Sequence, residues 1–153
     1  MSEHINAPLT RERVARVLQR LNAKFLQDSD GDFLLFIGTP FSRFFAITMV
    51  TVEEEGAVLT VGGSVQNLPP WDAKTLLEQA NTWNIVKRWP KVFLRGDELV
   101  FDYHVLLREG VSDPQLKDFL GVAFGSIQHL LNWLEGIDGS GEDLGLIPQL
   151  TRA

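Results

Sequence analysis

Ala80-Asn81-Thr82-Trp83-Asn84-Ile85-Val86-Lys87-Arg88-Trp89-Pro90-Lys91-Val92-Phe93-Leu94 decides the architecture of this chain, because a helical period gives way to a strand period inside it. Asp72 is placed to cap the helix after Leu68-Pro69-Pro70, with Trp71 positioned to staple onto Leu76. Ala73, Leu76, Leu77, Ala80 and Asn84 recur at helical spacing and predict the apolar stripe, with Trp83 at its margin. Pro90 ends the helix, since proline disfavours helical geometry in the residue before it. Asn84 therefore puts an amide in the middle of a stripe expected to be buried, and a buried amide must find partners. The nearest are backbone groups of the strand leaving Pro90, so Asn84 is expected to lock helix to strand rather than to bind a ligand.

Two further helices flank this unit. Thr10 caps the first, in which Val14, Val17, Leu18, Leu21 and Phe25 follow one face. Ser112-Asp113-Pro114-Gln115 is a capping box, and Leu116, Phe119, Leu120, Ala123, Ile127, Leu130, Leu131 and Leu134 then cover a broad side of the last helix. Between the helices the period is two: Phe33 to Ile37, Phe44 to Val52, Ala57 to Val61, Lys91 to Leu94 and Leu99 to Leu107 read as strands. Glu53-Glu54-Glu55-Gly56 and Arg95-Gly96-Asp97-Glu98 turn two of the hairpins. The fold class is α+β, a two-layer arrangement of an antiparallel sheet packed against helices in the order α-β-β-β-α-β-β-α. One domain is expected over residues 1–136. Residues 137–153 open with Asp138-Gly139-Ser140-Gly141-Glu142-Asp143, too polar to offset chain entropy, and predict a flexible C-terminal tail whose Leu144, Leu146, Ile147 and Leu150 can still dock.

Composition narrows the function. A chain of 153 residues, 44% hydrophobic and 22% charged, has the make-up of a globular domain. With 20 acidic against 14 basic residues the net charge is -6, which argues against nucleic acid as a partner. Without cysteine there is no disulfide framework, thiolate metal site or thiol chemistry. Met1-Ser2-Glu3-His4-Ile5-Asn6 lacks the basic start of a leader, and no stretch reaches eighteen apolar residues. A cytoplasmic protein with no membrane partner, no cofactor and no metal is expected.

Asp102 and His104 make the best catalytic pair, a carboxylate placed to orient an imidazole for general base work in a small hydrolase or lyase. The plainer reading, the solvent face of a strand, is preferred, because no nucleophile or oxyanion donor is identifiable beside them, and no residue is assigned a catalytic role. Asp28-Ser29-Asp30-Gly31-Asp32 starts like a calcium loop, but Phe33 stands where that loop needs glycine and Thr39 where it needs a bidentate glutamate. It reads as a polar turn. Gly62-Gly63-Ser64 reads as a bulge or strand end rather than an anion cradle. Gly121 and Gly125 fall on the polar side of the last helix with Gln128 and Asn132, and with Trp133 they mark a possible interface.

The order of elements, with Ala80-Asn81-x-Trp83-Asn84 leading into Arg88-Trp89-Pro90-Lys91 and Glu109-Gly110-Val111-Ser112 opening the last helix, resembles the bacterial YbjN family over about Thr10 to Trp133. That resemblance makes Asn81, Trp83, Asn84, Arg88, Trp89 and Pro90 a structural signature. It implies a sensory transduction regulator with a fold like that of type III secretion chaperones, and carries over no catalytic residue. Those chaperones act as dimers on segments of other proteins, an analogy of fold alone. The expected function is a non-enzymatic, chaperone-like protein-binding module, forming a homodimer through the wide apolar arc of its last helix.

Overall fold

The computed structural model describes residues 5–136. Helix α1 (Arg11–Arg20) is followed by strands β1 (Leu26–Gln27), β2 (Phe33–Ile37), β3 (Phe45–Glu53) and β4 (Val58–Gln66). Helix α2 (Ala73–Val86), strands β5 (Lys91–Arg95) and β6 (Glu98–Leu106) and helix α3 (Asp113–Leu134) complete it. All neighbouring strands are antiparallel, in the order β1-β2-β3-β4-β6-β5. The α+β class and the expected succession are present, with the two-residue β1 added at one edge.

The three expected caps start the three helices. Thr10 accepts from the Arg13 N–H, Asp72 from Thr75 and Ser112 from Gln115. Each satisfies one of the donors that a helix start leaves without an intrahelical partner. That bond from Thr75 holds the Asp72 carboxyl below its ordinary pKa.

Strand alternation decides which residues enter the core. Phe33, Leu35 and Ile37, Ala46 and Val50, Leu59, Val61 and Val65, Val92, and Leu99 and Phe101 point to one side and are buried there against the helices. Helix α3 lies innermost, with α1 packed along it and α2 joined to it through Trp83. From Gly121 to Leu134 no residue of α3 is exposed.

Four readings of the sequence change here. Strand β4 runs on to Gln66, straight through Gly62-Gly63-Ser64, where a bulge or strand end was expected. Gly63 is the reason the strand can continue: a Cβ there would land on the Ile47 carbonyl oxygen and come within 3.0 Å of the Phe101 ring. Trp83 is no margin residue but is fully buried, and Leu77, expected in the stripe, is exposed. The side of α3 expected to be polar is covered, since Gly121, Gly125 and Asn132 are all buried within the chain. The broad apolar arc that motivated a homodimer is accordingly spent on α1, α2 and the sheet of one chain. The tail expected over 137–153 lies outside the described residues.

An arginine that sequence reading passed over ties the start of the chain to α3. Residues Ala7 and Val111 form an antiparallel bridge, and Arg13 reaches across it. Its Nη1 donates to the carbonyls of Ala7 and Pro8, its Nη2 to Val111 O and Asp113 Oδ1, and its Nε to Asp113 Oδ1. All five guanidinium hydrogens are thus used.

Candidate functional site

The signature segment builds one rim of the sheet. Trp83 Nε1 donates to Pro90 O at 2.8 Å, and Trp83 packs edge-on against Trp133 at 5.4 Å. One residue further along, on the surface side of the helix, Asn84 Nδ2 donates to Val92 O at 2.7 Å and its Oδ1 accepts from Val92 N at 3.0 Å. The amide does join helix to strand as expected, but from an exposed position rather than a buried one, because the apolar stripe runs through Leu76, Ala80 and Trp83. The Trp89-Pro90 bond is cis, Pro90 is buried, and Trp89 stacks edge-on with Tyr103 while Arg88 lies over its ring. Asn81 is exposed. These residues shape a rim, and none of them lines the two hollows described next.

The second face of the sheet is the larger feature, since all three helices pack on the first. Register lines up rows of side chains across it. Phe36, Ile47, Ser64, Val100 and Phe93 form one row over five strands. Leu34, Met49, Gly62, Asp102 and Lys91 form the next, followed by Thr51, Thr60 and His104. Phe36 is 65% exposed and Leu106 63%, with Phe45 and Phe93 also open to solvent. The small residues Gly62 and Ser64 sink the middle of β4, leaving a trough of about 410 Å³ between Ile47 and Met49 on one bank and Phe93 and Val100 on the other. A larger groove, about 930 Å³, lies between the start of α1 and the β3–β4 turn, but it is lined by charged groups such as Arg11, Glu12, Glu53 and Glu55.

Asp102 and His104 are brought together beside the trough. His104 Nε2 stands 3.3 Å from Asp102 Oδ2, and Asp102 Oδ1 pairs with Lys91 Nζ at 3.3 Å. On the other side Thr60 Oγ1 lies 2.9 Å from His104 Nδ1 and donates to Glu53 Oε2. The sequence missed Thr60 because strand pairing alone places it opposite His104. The polar row runs along an open surface with the His104 side chain half exposed, whereas general base catalysis gains most where water is excluded.

At the turn before β2, the carboxylates of Asp28, Asp30 and Asp32 converge within 4.8 Å. Asp28 Oδ1 accepts from the N–H groups of Asp30 and Asp32, and Gly31 takes a positive φ of 89°, which is turn chemistry. Burial first, then the Asp28 charge, pushes the Asp32 carboxyl above its ordinary pKa. Gly121 and Gly125 are closed off by the chain's own packing, and Trp133 is half-buried against Trp83. No helix among the described residues is long and apolar enough to cross a membrane.

Residues 10–136 match the family model YbjN, described as "Putative bacterial sensory transduction regulator". The chain belongs to this family. No curated protein is similar enough to match it. Among solved structures, YbjN from E. coli, titled "a putative transcription regulator", is similar at a TM-score of 0.69 and 14% identity, covering 86% of this chain and 95% of that one. The HopA1–SchA chaperone–effector complex is similar at 0.50 and 16% identity, covering 85% and 93%. At such identities the likeness is one of fold.

Proposed function

We propose that this member of the YbjN family is a non-enzymatic, chaperone-like regulatory module that binds another polypeptide on the open face of its sheet. The carrying observation is the set of exposed side chains Phe36, Phe45, Phe93 and Leu106, with half-buried Ile47, around the trough at Gly62 and Ser64, on the sheet face that the helices leave uncovered; Val100, in the same row, is itself buried. Membership of a family named for regulation and a fold shared with a protein from a chaperone–effector complex support that reading. Docking an apolar segment there removes exposed aromatic surface from water, and the flanking Lys91, Arg95, Asp102 and Glu98 supply a polar rim. A second copy of the chain is one partner the face can take. Self-association goes through this sheet, because the arc of α3 is already covered. The place of action in this reading is the cytoplasm, and the partner is neither nucleic acid nor membrane.

One observation favours a hydrolase or lyase instead, the chain Asp102, His104, Thr60. It is the weaker reading, because Asp102 is shared with Lys91 and Thr60 with Glu53 on an open surface. The test is affinity capture from bacterial lysate with wild-type protein, with Phe36→Lys/Phe93→Lys, and with Lys74→Glu on the exposed side of α2. The face variant should lose captured protein at least tenfold while Lys74→Glu retains it. Equal capture by wild type and face variant, or none by wild type, overturns the proposal.

A further inference from the structure

We propose that residues Leu144–Leu150 of this chain dock on the open face of its own sheet, crossing the row Phe36, Ile47, Ser64, Val100 and Phe93, and so compete with a partner for it. The segment lies outside the described residues, so the argument joins its sequence to the surface and to the point where α3 ends. It rests on the same face as the proposed function, but not on any partner.

Where the chain leaves α3 is fixed. Glu135 Oε2 accepts from the Ser42 hydroxyl and the Arg43 N–H, and its Oε1 accepts from Arg43 Nε. Gln128 Nε2 donates to Gly38 O, and Thr39 donates to Asn132 Oδ1. The end of α3 is thereby held against the β2–β3 loop, one residue beyond Phe36-Ile37 and two before Phe45. The chain thus departs beside the loop that joins β2 to β3, close in sequence to the open-face residues Phe36 and Phe45.

Reach and pattern then agree. Residues 137–143 supply seven residues, an extended span of about 23–25 Å. Four residues of strand separate Arg43 from Ile47, about 13 Å. Beyond the polar Gly139-Ser140-Gly141-Glu142-Asp143, residues Leu144, Leu146, Pro148 and Leu150 recur at period two, which lines one side of an extended segment. From Leu144 to Leu150 such a segment measures about 20 Å. The apolar row crosses five strands with four gaps of about 4.8 Å, a length of about 19 Å. Ser64, at the middle of the row, leaves the notch into which a central leucine fits. Pro148 lacks an N–H, which suits a segment laid across the sheet on its side chains better than one added to an edge by a hydrogen-bond ladder.

The chain has no cysteine, so a single engineered pair reports the contact. In the full chain, Ser64→Cys with Leu146→Cys is oxidised at low protein concentration, beside a control in which Glu78→Cys on the exposed side of α2 replaces the sheet cysteine. Docking in cis predicts a disulfide at monomer mass forming at least tenfold faster than in the control. A rate equal to the control overturns the proposal. So does a product found only at dimer mass, which assigns the face to a second copy. A second measurement uses Leu144→Ser/Leu146→Ser/Leu150→Ser, which should raise the fluorescence of a hydrophobic dye at the sheet several-fold; no rise also counts against docking. The two readings fail separately: a fast cis disulfide with no partner lost by Phe36→Lys/Phe93→Lys sinks the proposed function alone.

Discussion

Arg13→Met is the substitution with the largest effect predicted away from the apolar core. Arg13 is 8% exposed and spends five hydrogen bonds on four groups. Methionine keeps much of the stem and removes all five. The Ala7 and Val111 carbonyls retain each other's N–H groups, so the uncompensated losses fall on Pro8 O and on the Asp113 carboxylate. Among the described residues Asp113 then keeps only Arg20, 3.9 Å away, as a cation within ion-pair distance. Breaking a buried pair from one side costs about 3–5 kcal/mol. Because the Asp113 side chain is 24% exposed, water recovers part of that, and about 3 kcal/mol is expected. For a domain of this size that lowers Tm by about 10 °C. Urea titration with an unchanged slope is the assay. The pH dependence is a second reading of the same contact. The Arg13 hydrogen bond, opposed by burial and aided by the charges of Arg13, Arg20 and Arg16, holds the Asp113 carboxyl below its ordinary value. A depressed carboxylate contributes stability that is full above the unfolded pKa of about 3.9 and is lost as pH falls through the folded one. Wild type should therefore lose this share of its stability below about pH 4, and Arg13→Met should lack that part of the acid limb. A midpoint within about 0.5 kcal/mol of wild type, or an unaltered acid limb, would refute the assignment.

Asn84→Leu should destabilise by about 1–2 kcal/mol, two net hydrogen bonds at an edge strand where water can reach Val92 again; an unchanged urea midpoint would remove the amide from the structure's supports. Gly63→Ala should cost about 1–3 kcal/mol or more, since the new methyl meets backbone at Ile47. Gly62→Ala, whose methyl would stand 3.2 Å from Phe101 O, should cost clearly less, and equal losses in thermal unfolding would contradict the geometry.

Local chemistry was legible in the sequence where a few adjacent residues decide it. Thr10, Asp72 and Ser112 cap because each side chain meets its own backbone three residues on. The two hairpins and the Asn84 bond to the following strand are short-range for the same reason. Trp83 was misplaced because a single 100°-per-residue stripe assumes that a helix packs on one surface. Helix α2 sits between β5 and α3, so its buried line shifts toward Trp83, which packs on His129 and Trp133 of α3 and donates to Pro90 O just ahead of β5. Arg13 was missed because its role depends on Asp113, 100 positions away, and on three carbonyls that no pattern reveals. The width of the α3 arc was read correctly and its cause was not: a central helix needs apolar residues all round without a second subunit. On the sheet, period two announced the alternation but not which face the helices would leave bare, since that depends on all three packing on one side.

Together, rim and face limit how a polypeptide can bind. An edge strand ordinarily invites a further strand, because its outward N–H and C=O groups are unpaired. At the β5 edge Asn84 already occupies both outward groups of Val92, and Trp83 occupies the carbonyl of Pro90 just before the strand. The carboxamide acts there as a one-residue substitute for a neighbouring strand. Adding a strand at that edge would first break both bonds, whereas the face needs no bond broken to accept apolar side chains between Ile47 and Phe93. The segment that announces the fold therefore also disfavours strand addition at the β5 edge, which is consistent with the proposal that an apolar partner takes the open face instead.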